Sequence, residues 1–263
     1  MNFTRTLMAA AVIGAFGASA FGLSRQHALA ATVYSGDLIR GQTYAAVYYM
    51  GADGFRYVFP NFKTYSTWYA NFDTVKFISD AELAKIQIGG NVTYRPGVRM
   101  IKIDSDPNVY VVDAGGTLRH VAGEAAASSI YGSTWNKQID DIPDGFFSNY
   151  KKGTAVAGLA DFIPATATAA AVSINGDKNL KAPATINLSD SGPNPIDVHI
   201  TVGTGVRFTN NGSTKHTATG DDLTWGTGTL NPGDSFIQTF KKAGTFTFFD
   251  SYNSQNTGAV YVQ

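Results

Sequence analysis

The sequence predicts two domains, an α+β module of tandem repeats followed by an all-β sandwich. The chain has 263 residues, which is more than one hydrophobic core usually supports. Aromatic residues make up 13% of it, and such side chains favour half-buried strands. The composition of an Ala- and Thr-rich stretch at residues 154–171 predicts a linker, partly extended in conformation. It separates an aromatic-rich segment, residues 32–153, from a segment of short alternating strands, residues 172–263.

The first 31 residues have the pattern of a secretory signal. Arg5 supplies positive charge, an uncharged apolar run covers residues 6–23, and an Ala-Leu-Ala cleavage site lies at residues 28–30. The apolar run approaches the length of about 18 residues that can span a bilayer, so an uncleaved membrane anchor is the alternative. We expect export through a Sec-type route and an extracellular or cell-surface location.

Charge and cysteine content exclude several functional classes. The 20 basic and 20 acidic residues balance, so the basic face that nucleic-acid binding needs is not expected. The chain has no cysteine, which excludes disulfides, a lipoprotein anchor, thiol catalysis and thiolate metal sites. No G-x-S-x-G nucleophile elbow is present either. The sequence therefore predicts a protein that is not an enzyme.

The first segment contains two similar stretches, residues 34–95 and residues 96–153. The predicted strand at residues 47–49 recurs about 62 residues further on. Each copy of that strand is followed by a Gly-containing turn of the kind that closes a β-hairpin, then by a predicted helix. A second helix follows in each copy, and Ser79 and Glu82 have the spacing of a capping box at its start. Each copy is thus predicted to be a hairpin, a helix and a short helix.

Specific motifs of this segment resemble a known repeat. These motifs are GDLIRG, YYMGADGFRYVFPN, TYSTWY, ISDAELA, GGNVTYRPG, DPNVYVV and IYGSTWNK. They are similar to a repeat of secreted and surface-layer-type proteins from uncultured bacteria with small genomes. The resemblance covers about residues 34–153. It implies a cell-surface location, with other surface proteins or further copies of this chain as partners, and it implies no reaction.

The last segment shows strand patterns of period two. Val198, Ile200 and Val202 share one face, and the same alternation recurs around Phe246 and Phe248. Turn signals rich in Asn, Pro and Gly separate these strands. Short alternating strands at this spacing predict a β-sandwich.

The order of these signals resembles the cupredoxins, the plastocyanin-like blue-copper family. The similar stretches are VRFTNNGSTKHTAT, GTLNPGDSFIQTF and KAGTFTFFDSYNSQNTGAVYV, and the resemblance covers about residues 172–263. It implies a Greek-key sandwich. His216 occupies the place of the first copper-binding histidine of the family. Asp250, Asn253 and Asn256 stand where the family has its cysteine, second histidine and methionine.

These replacements imply that the copper site is degenerate. A blue-copper centre needs two imidazoles and a thiolate, and this chain retains one imidazole at those places. We therefore expect no metal and no cofactor, with His216 and Asp250 hydrogen-bonded to each other instead. Weak binding of zinc or calcium by His216, Asp250, Asn253 and Asn256 is the alternative.

Other polar residues have weaker patterns. His120 and His199 are expected to be structural or solvent-exposed. The acidic pairs Asp140-Asp141 and Asp221-Asp222 are expected in solvated turns, because adjacent carboxylates do not face each other on a helix or a strand.

Aromatic side chains of the repeats allow one further interpretation. They could line a glycan-binding surface, although packing in the core is favoured. The set comprises Tyr48, Tyr57, Phe59, Tyr65, Trp68, Tyr69, Tyr94 and Trp135. The sequence thus predicts a non-catalytic secreted or cell-surface structural or interaction protein. The alternative is a binding protein for a non-copper metal ion or for cell-wall glycan.

Overall fold

The computed structural model describes residues 32–263, so the predicted signal lies outside the described residues. Four β-sheets dominate this part of the chain, and the helices between them are short. Within residues 32–263, no helix has the length and apolarity needed to cross a membrane.

The first sheet is formed by residues 38–91. Its strands are β1 (Leu38–Arg40), β2 (Tyr48–Met50), β3 (Arg56–Val58), β4 (Val75–Phe77) and β5 (Ile88–Asn91), with helices α1 (Phe62–Trp68) and α2 (Asp80–Lys85). The strand order is β4-β1-β2-β3-β5. Ser79 caps α2, and its reciprocal bonds with Glu82 form the predicted capping box.

The second sheet is formed by residues 100–152. Its strands are β6 (Met100–Ile103), β7 (Asp106–Asp113), β8 (Thr117–His120), β9 (Ile139–Ile142) and β10 (Lys151–Lys152), with helices α3 (Glu124–Tyr131) and α4 (Asp144–Phe147). Short 3-10 turns occur at Ala114–Gly116 and Trp135–Gln138. The strand order is β9-β6-β7-β8-β10.

These two sheets have the same topology. In each, the first three strands of the segment pair antiparallel, and the two edge strands pair parallel to their neighbours. The hairpin register also matches, since Tyr48 lies opposite Val58 and Tyr110 lies opposite His120. Both segments therefore place a helix at the same point after their central hairpin.

Half of the aromatic set is buried in the interior of these sheets. Tyr57, Phe59, Tyr65 and Tyr94 are buried. The other members, Tyr48, Trp68, Tyr69 and Trp135, are partly buried. The rings of Phe59 and Tyr65 meet edge to face, with centroids 5.0 Å apart. The buried members of the set therefore serve as core residues.

The Ala/Thr-rich stretch differs from an extended linker because it packs on the second sheet. It contains helix α5 (Pro164–Ala170). Val156 and Phe162 are buried in the same cluster as Met100 of β6. The Arg95 guanidinium donates hydrogen bonds to two backbone carbonyls at the end of the stretch, one of them that of Ala171. Small residues allow this close packing, which composition alone did not indicate.

The chain then crosses back to the first sheet. Helix α6 (Ile174–Asp177) buries Ile174 in the aromatic cluster of that sheet. The Asn175 side chain accepts a hydrogen bond of 2.8 Å from the Ala52 backbone, and the Asp177 carboxylate accepts one of 2.8 Å from the Gly115 backbone. Residues 154–177 therefore contact both five-stranded sheets.

The last part of the chain is a β-sandwich. The third sheet has the order β12-β11-β14-β16 and the fourth has the order β13-β18-β17-β15. The strands are β11 (Ala184–Ser189), β12 (Gly192–Asn194), β13 (Asp197–Ile200), β14 (Gly205–Asn210), β15 (Thr219–Gly220), β16 (Ser235–Thr239), β17 (Gly244–Asp250) and β18 (Asn253–Val262). Both sheets contribute to one core, in which the Phe208 and Phe248 rings lie 5.3 Å apart. Val202 is exposed, contrary to its expected inward position, because β13 ends at Ile200 and Val202 follows in a turn.

One side chain links the first sheet to the sandwich. The Gln87 carboxamide accepts a 2.7 Å hydrogen bond from the Ile237 backbone amide and donates one of 3.2 Å to its carbonyl. Ile237 lies on β16, the edge strand of the third sheet. The contact satisfies backbone groups that an edge strand would otherwise leave open to pairing.

A candidate site around a buried histidine

His216 lies in the connection between β14 and β15 and is only 4% exposed. Its backbone pairs with that of Leu230 in an isolated bridge. The loop before it is held by the buried Asn210 side chain, which donates 2.8 Å hydrogen bonds to the Thr214 and Leu230 carbonyls. The same side chain accepts a bond from the Gly212 amide. The imidazole is therefore positioned by a hydrogen-bonded loop at one end of the sandwich.

Asp250 ends strand β17 and is 3% exposed. Its Oδ2 lies 2.7 Å from Nδ1 of His216. Its Oδ1 accepts 3.0 Å hydrogen bonds from the backbone amides of Thr217 and Tyr252. The pairing of β17 with β18 shifts register at Phe249 and Asp250, and such an irregularity re-aims the side chain at the strand end.

Asp190 is the member of the site that the sequence did not reveal. It lies in the turn between β11 and β12, and its Oδ1 is 3.1 Å from Nε2 of His216. Its carboxylate also accepts hydrogen bonds from the amides and hydroxyls of Ser213 and Thr214. These hydrogen bonds lower the pKa of Asp190 far below its ordinary value, and those from Ser213 contribute most. No spacing or motif connects Asp190 to His216, since only the pairing of β11 with β14 brings their loops together.

The geometry favours a charged imidazole. A neutral imidazole has one N–H, whereas both ring nitrogens of His216 here face carboxylate oxygens, which accept hydrogen bonds but cannot donate them when ionised. Burial of the ring by itself lowers the pKa of His216, but the hydrogen bonds and charges of Asp250 and Asp190 outweigh it and raise that pKa above the ordinary value. The two carboxylates thus favour the imidazolium form of His216.

The structure brings together three of the four residues that stand at the ligand places. Asn256 lines a narrow cleft with His216 and Asp250. The Asn256 amide nitrogen is buried and has no hydrogen-bond partner in the described part of the chain. Asn253 lies outside the cleft: it is exposed, and its side chain accepts a 3.3 Å bond from the Gln255 amide.

These residues do not fit a type 1 copper ion. The thiolate is missing because the chain has no cysteine. The two carboxylates hold opposite nitrogens of the same ring, so the ring separates them and they do not converge on one point. The cleft is also too narrow to hold a water molecule. Across residues 32–263, no group of three or more His, Cys, Asp or Glu side chains has the arrangement of a metal site.

The two other histidines of the described region have simple surroundings. His120 is half-buried, with its ring 5.8 Å from that of Tyr110. His199 is exposed and stacks on Tyr261 with the ring centroids 4.6 Å apart.

One acidic pair differs from the expected solvated turn. Asp140 and Asp141 lie on strand β9, and Asp140 is buried. The Arg99 guanidinium donates hydrogen bonds of 2.7 and 3.0 Å to the two Asp140 carboxylate oxygens. The Tyr94 hydroxyl donates a further bond of 3.2 Å. Because strand neighbours point to opposite faces, Asp141 is instead exposed.

Comparison with known proteins gives matches to part of the chain. No family model matches, and no curated protein matches. Among solved structures, a purple cupredoxin from Nitrosopumilus maritimus matches at 26% identity and a TM-score of 0.29, covering 30% of this chain and 99% of that one. A copper-containing nitrite reductase from Thermus scotoductus SA-01 matches at 24% identity and a TM-score of 0.29, covering 31% of this chain and 22% of that one. Amicyanin from Paracoccus versutus matches at 17% identity and a TM-score of 0.29, covering 31% of this chain and 81% of that one.

Proposed function

We propose that this protein is a non-catalytic structural or interaction protein of the cell surface, with two domains. In this proposal its C-terminal domain is a cupredoxin-like Greek-key sandwich. A proton on the His216 ring takes the structural place of the copper ion. The observation that carries the proposal is His216, whose two ring nitrogens are both held by carboxylates in a nearly solvent-free position.

The proton can serve the structural purpose that a metal serves elsewhere. The imidazolium joins the turn that carries Asp190, the loop that carries His216 and the strand end that carries Asp250. Hydrogen bonds between ionised groups are stronger than hydrogen bonds between neutral groups. In a buried imidazolium bonded in this way, both N–H donors have an acceptor and the positive charge is paired. These contacts thereby hold the loops at this end of the sandwich together without a redox-active metal.

The remaining parts of the proposal rest on the sequence and on the five-stranded sheets. The matching topology of these two sheets supports the view that residues 34–95 and 96–153 are copies of one unit. The signal-like N-terminus and the resemblance to surface-protein repeats support export to the cell surface. Other surface proteins or further copies of this chain are the proposed partners. Nucleic acid is not among them, because the charge is balanced.

Metal titration tests the central part of the proposal. Purified full-length protein is titrated with Cu(II), Zn(II) and Ca(II) in turn, with calorimetry and an absorbance spectrum at each step. We expect no stoichiometric binding at micromolar concentration and no intense blue colour. A His216→Gln variant serves as control for metal bound elsewhere. Stoichiometric micromolar binding that this substitution abolishes would refute the proton-for-copper exchange.

Cell fractionation tests the location. In cells that produce the native chain, we expect the protein in the envelope fraction or the medium, and accessible to added protease in intact cells. Recovery in the cytoplasmic fraction only would contradict the cell-surface role and leave the chemistry of His216 unaffected.

A further inference from the structure

The two five-stranded segments carry equivalent surface grooves. The first groove, of about 500 Å³, lies between the central hairpin and the start of α1, and it is lined by Val47, Val58, Phe59, Asn61, Phe62 and Phe72, among others. The second groove, of about 340 Å³, lies between the corresponding hairpin and the start of α3, and it is lined by Val109, His120, Val121, Gly123, Glu124 and Trp135, among others. The first five residues of each set correspond one to one at a separation of about 62 residues.

The second groove contains polar groups that the protein itself does not use. The side chains of His120, Glu124 and Trp135 make no hydrogen bond to any other residue in the described part of the chain. Glu124 is exposed, and Trp135 is only partly buried at the edge of the core. An aromatic ring, a carboxylate acceptor and an imidazole are therefore available together in one concave site.

The first groove offers different chemistry at the same place. Val58 and Phe62 stand where the second groove has His120 and Glu124. Its amide Asn61 already accepts the capping bond of α1 from the Thr64 backbone. The first groove is thus an apolar counterpart, in which Phe62 is 64% exposed.

We infer that the second groove binds one sugar unit of a glycan chain. A sugar presents an apolar face of C–H groups, which stacks on an aromatic ring such as Trp135, and a rim of hydroxyls, which donate to a carboxylate such as Glu124. The volume lies within the range of roughly 300–1,000 Å³ that small-molecule sites occupy. A cationic ligand fits less well because His120 lines the same groove and a cationic site usually gathers several aromatic rings.

The test is binding of the full chain to soluble oligosaccharides. The probes are a tetramer of N-acetylglucosamine, a tetramer of glucose and solubilised peptidoglycan fragments, each titrated by calorimetry, with tetramethylammonium as the cationic comparison. We expect saturable binding to at least one glycan. Glu124→Gln should weaken it at least tenfold, or about 1.4 kcal/mol. Asp144→Asn, which removes an exposed carboxylate from the first turn of α4, is the matched control and should bind like the unaltered chain.

A Trp135→Ala variant, with its thermal unfolding measured alongside, should abolish binding through loss of the stacking surface. Because Glu124 is exposed, Glu124→Gln leaves the fold intact even if Trp135→Ala does not. Three results would overturn the inference: no binding to any of the glycans, equal binding by Glu124→Gln, or binding to tetramethylammonium alone. None of these results bears on His216, so the two proposals fail separately.

Discussion

Asp140 in the second sheet and Asp250 in the sandwich are both buried carboxylates, but they pair with side chains of different chemistry. Both are less than a tenth exposed and both pair with a cation. The partner of Asp140 is Arg99, whose guanidinium stays charged at every pH at which proteins fold. The partner of Asp250 is His216, whose charge depends on pH. Arg99 and Asp140 therefore form an ion pair at every such pH, whereas His216 and Asp250 form one only while the imidazole is protonated.

The largest expected effect comes from Asp250→Asn. The change removes the charge that faces a buried imidazolium, and breaking one partner of a buried ion pair costs about 3–5 kcal/mol. We expect the free energy of unfolding in urea at pH 6 to fall by that amount. A loss below about 1 kcal/mol would mean that Asp250 does not stabilise a charged ring.

The second-largest expected effect is a fall in stability as pH rises. Because the folded-state pKa of His216 is raised, its contribution is complete below the unfolded-state pKa of about 6.5 and is lost as pH rises through the folded value. Thermal unfolding midpoints between pH 5.5 and 8.5 should therefore fall with rising pH in the unaltered chain. His216→Gln should flatten that slope, and an unchanged slope in this variant would place the pH dependence elsewhere.

Asp140→Asn is the matched change in the second sheet. Asparagine keeps one acceptor for Arg99, and that guanidinium has access to water, so we expect a loss of about 1–3 kcal/mol. The loss should be the same at pH 6 and pH 8, as measured by urea unfolding. If the loss of unfolding free energy differed between pH 6 and pH 8, the Asp140 pair would depend on pH as the Asp250 pair does, and the contrast between them would be wrong.

Asp190→Asn should have the smallest effect on stability. Asp190 is half-exposed, and asparagine can still accept hydrogen bonds from Ser213 and Thr214. We expect a smaller shift of the unfolding midpoint than for either buried carboxylate. We also expect a lower pKa of His216, because one of its two negative neighbours is gone, and NMR titration of the ring measures this. A midpoint shift as large as that of Asp250→Asn would show that the two carboxylates act equally.

Local features of the fold were predictable from the sequence. The capping box of Ser79 and Glu82 depends on residues three apart, and the hairpin turns depend on short Gly-containing stretches. The alternation that predicts strands in the sandwich is likewise local, although it extended to Val202, two residues past the end of β13 at Ile200. Such features require only neighbouring residues, so the sequence contains all the information that they need.

Apart from the His216–Asp250 contact, which the resemblance to cupredoxins implied, features that depend on distant contacts were not predictable. Asp190 and His216 meet because β11 pairs with β14, and nothing in either loop records that pairing. The burial of Asp140 depends on Arg99, which immediately precedes the neighbouring strand β6. The stretch at residues 154–171 has a linker-like composition, yet Phe162 is buried because the second sheet offers it a cleft. In each case a partner far along the chain determines the environment.

The most direct test is an NMR measurement of the His216 ring at pH 7 in protein labelled with nitrogen-15, with the exposed His199 as the reference ring. An imidazolium between two carboxylates predicts that both ring nitrogens of His216 carry protons, each protected from exchange with water. A neutral ring with one unprotonated nitrogen would contradict the account.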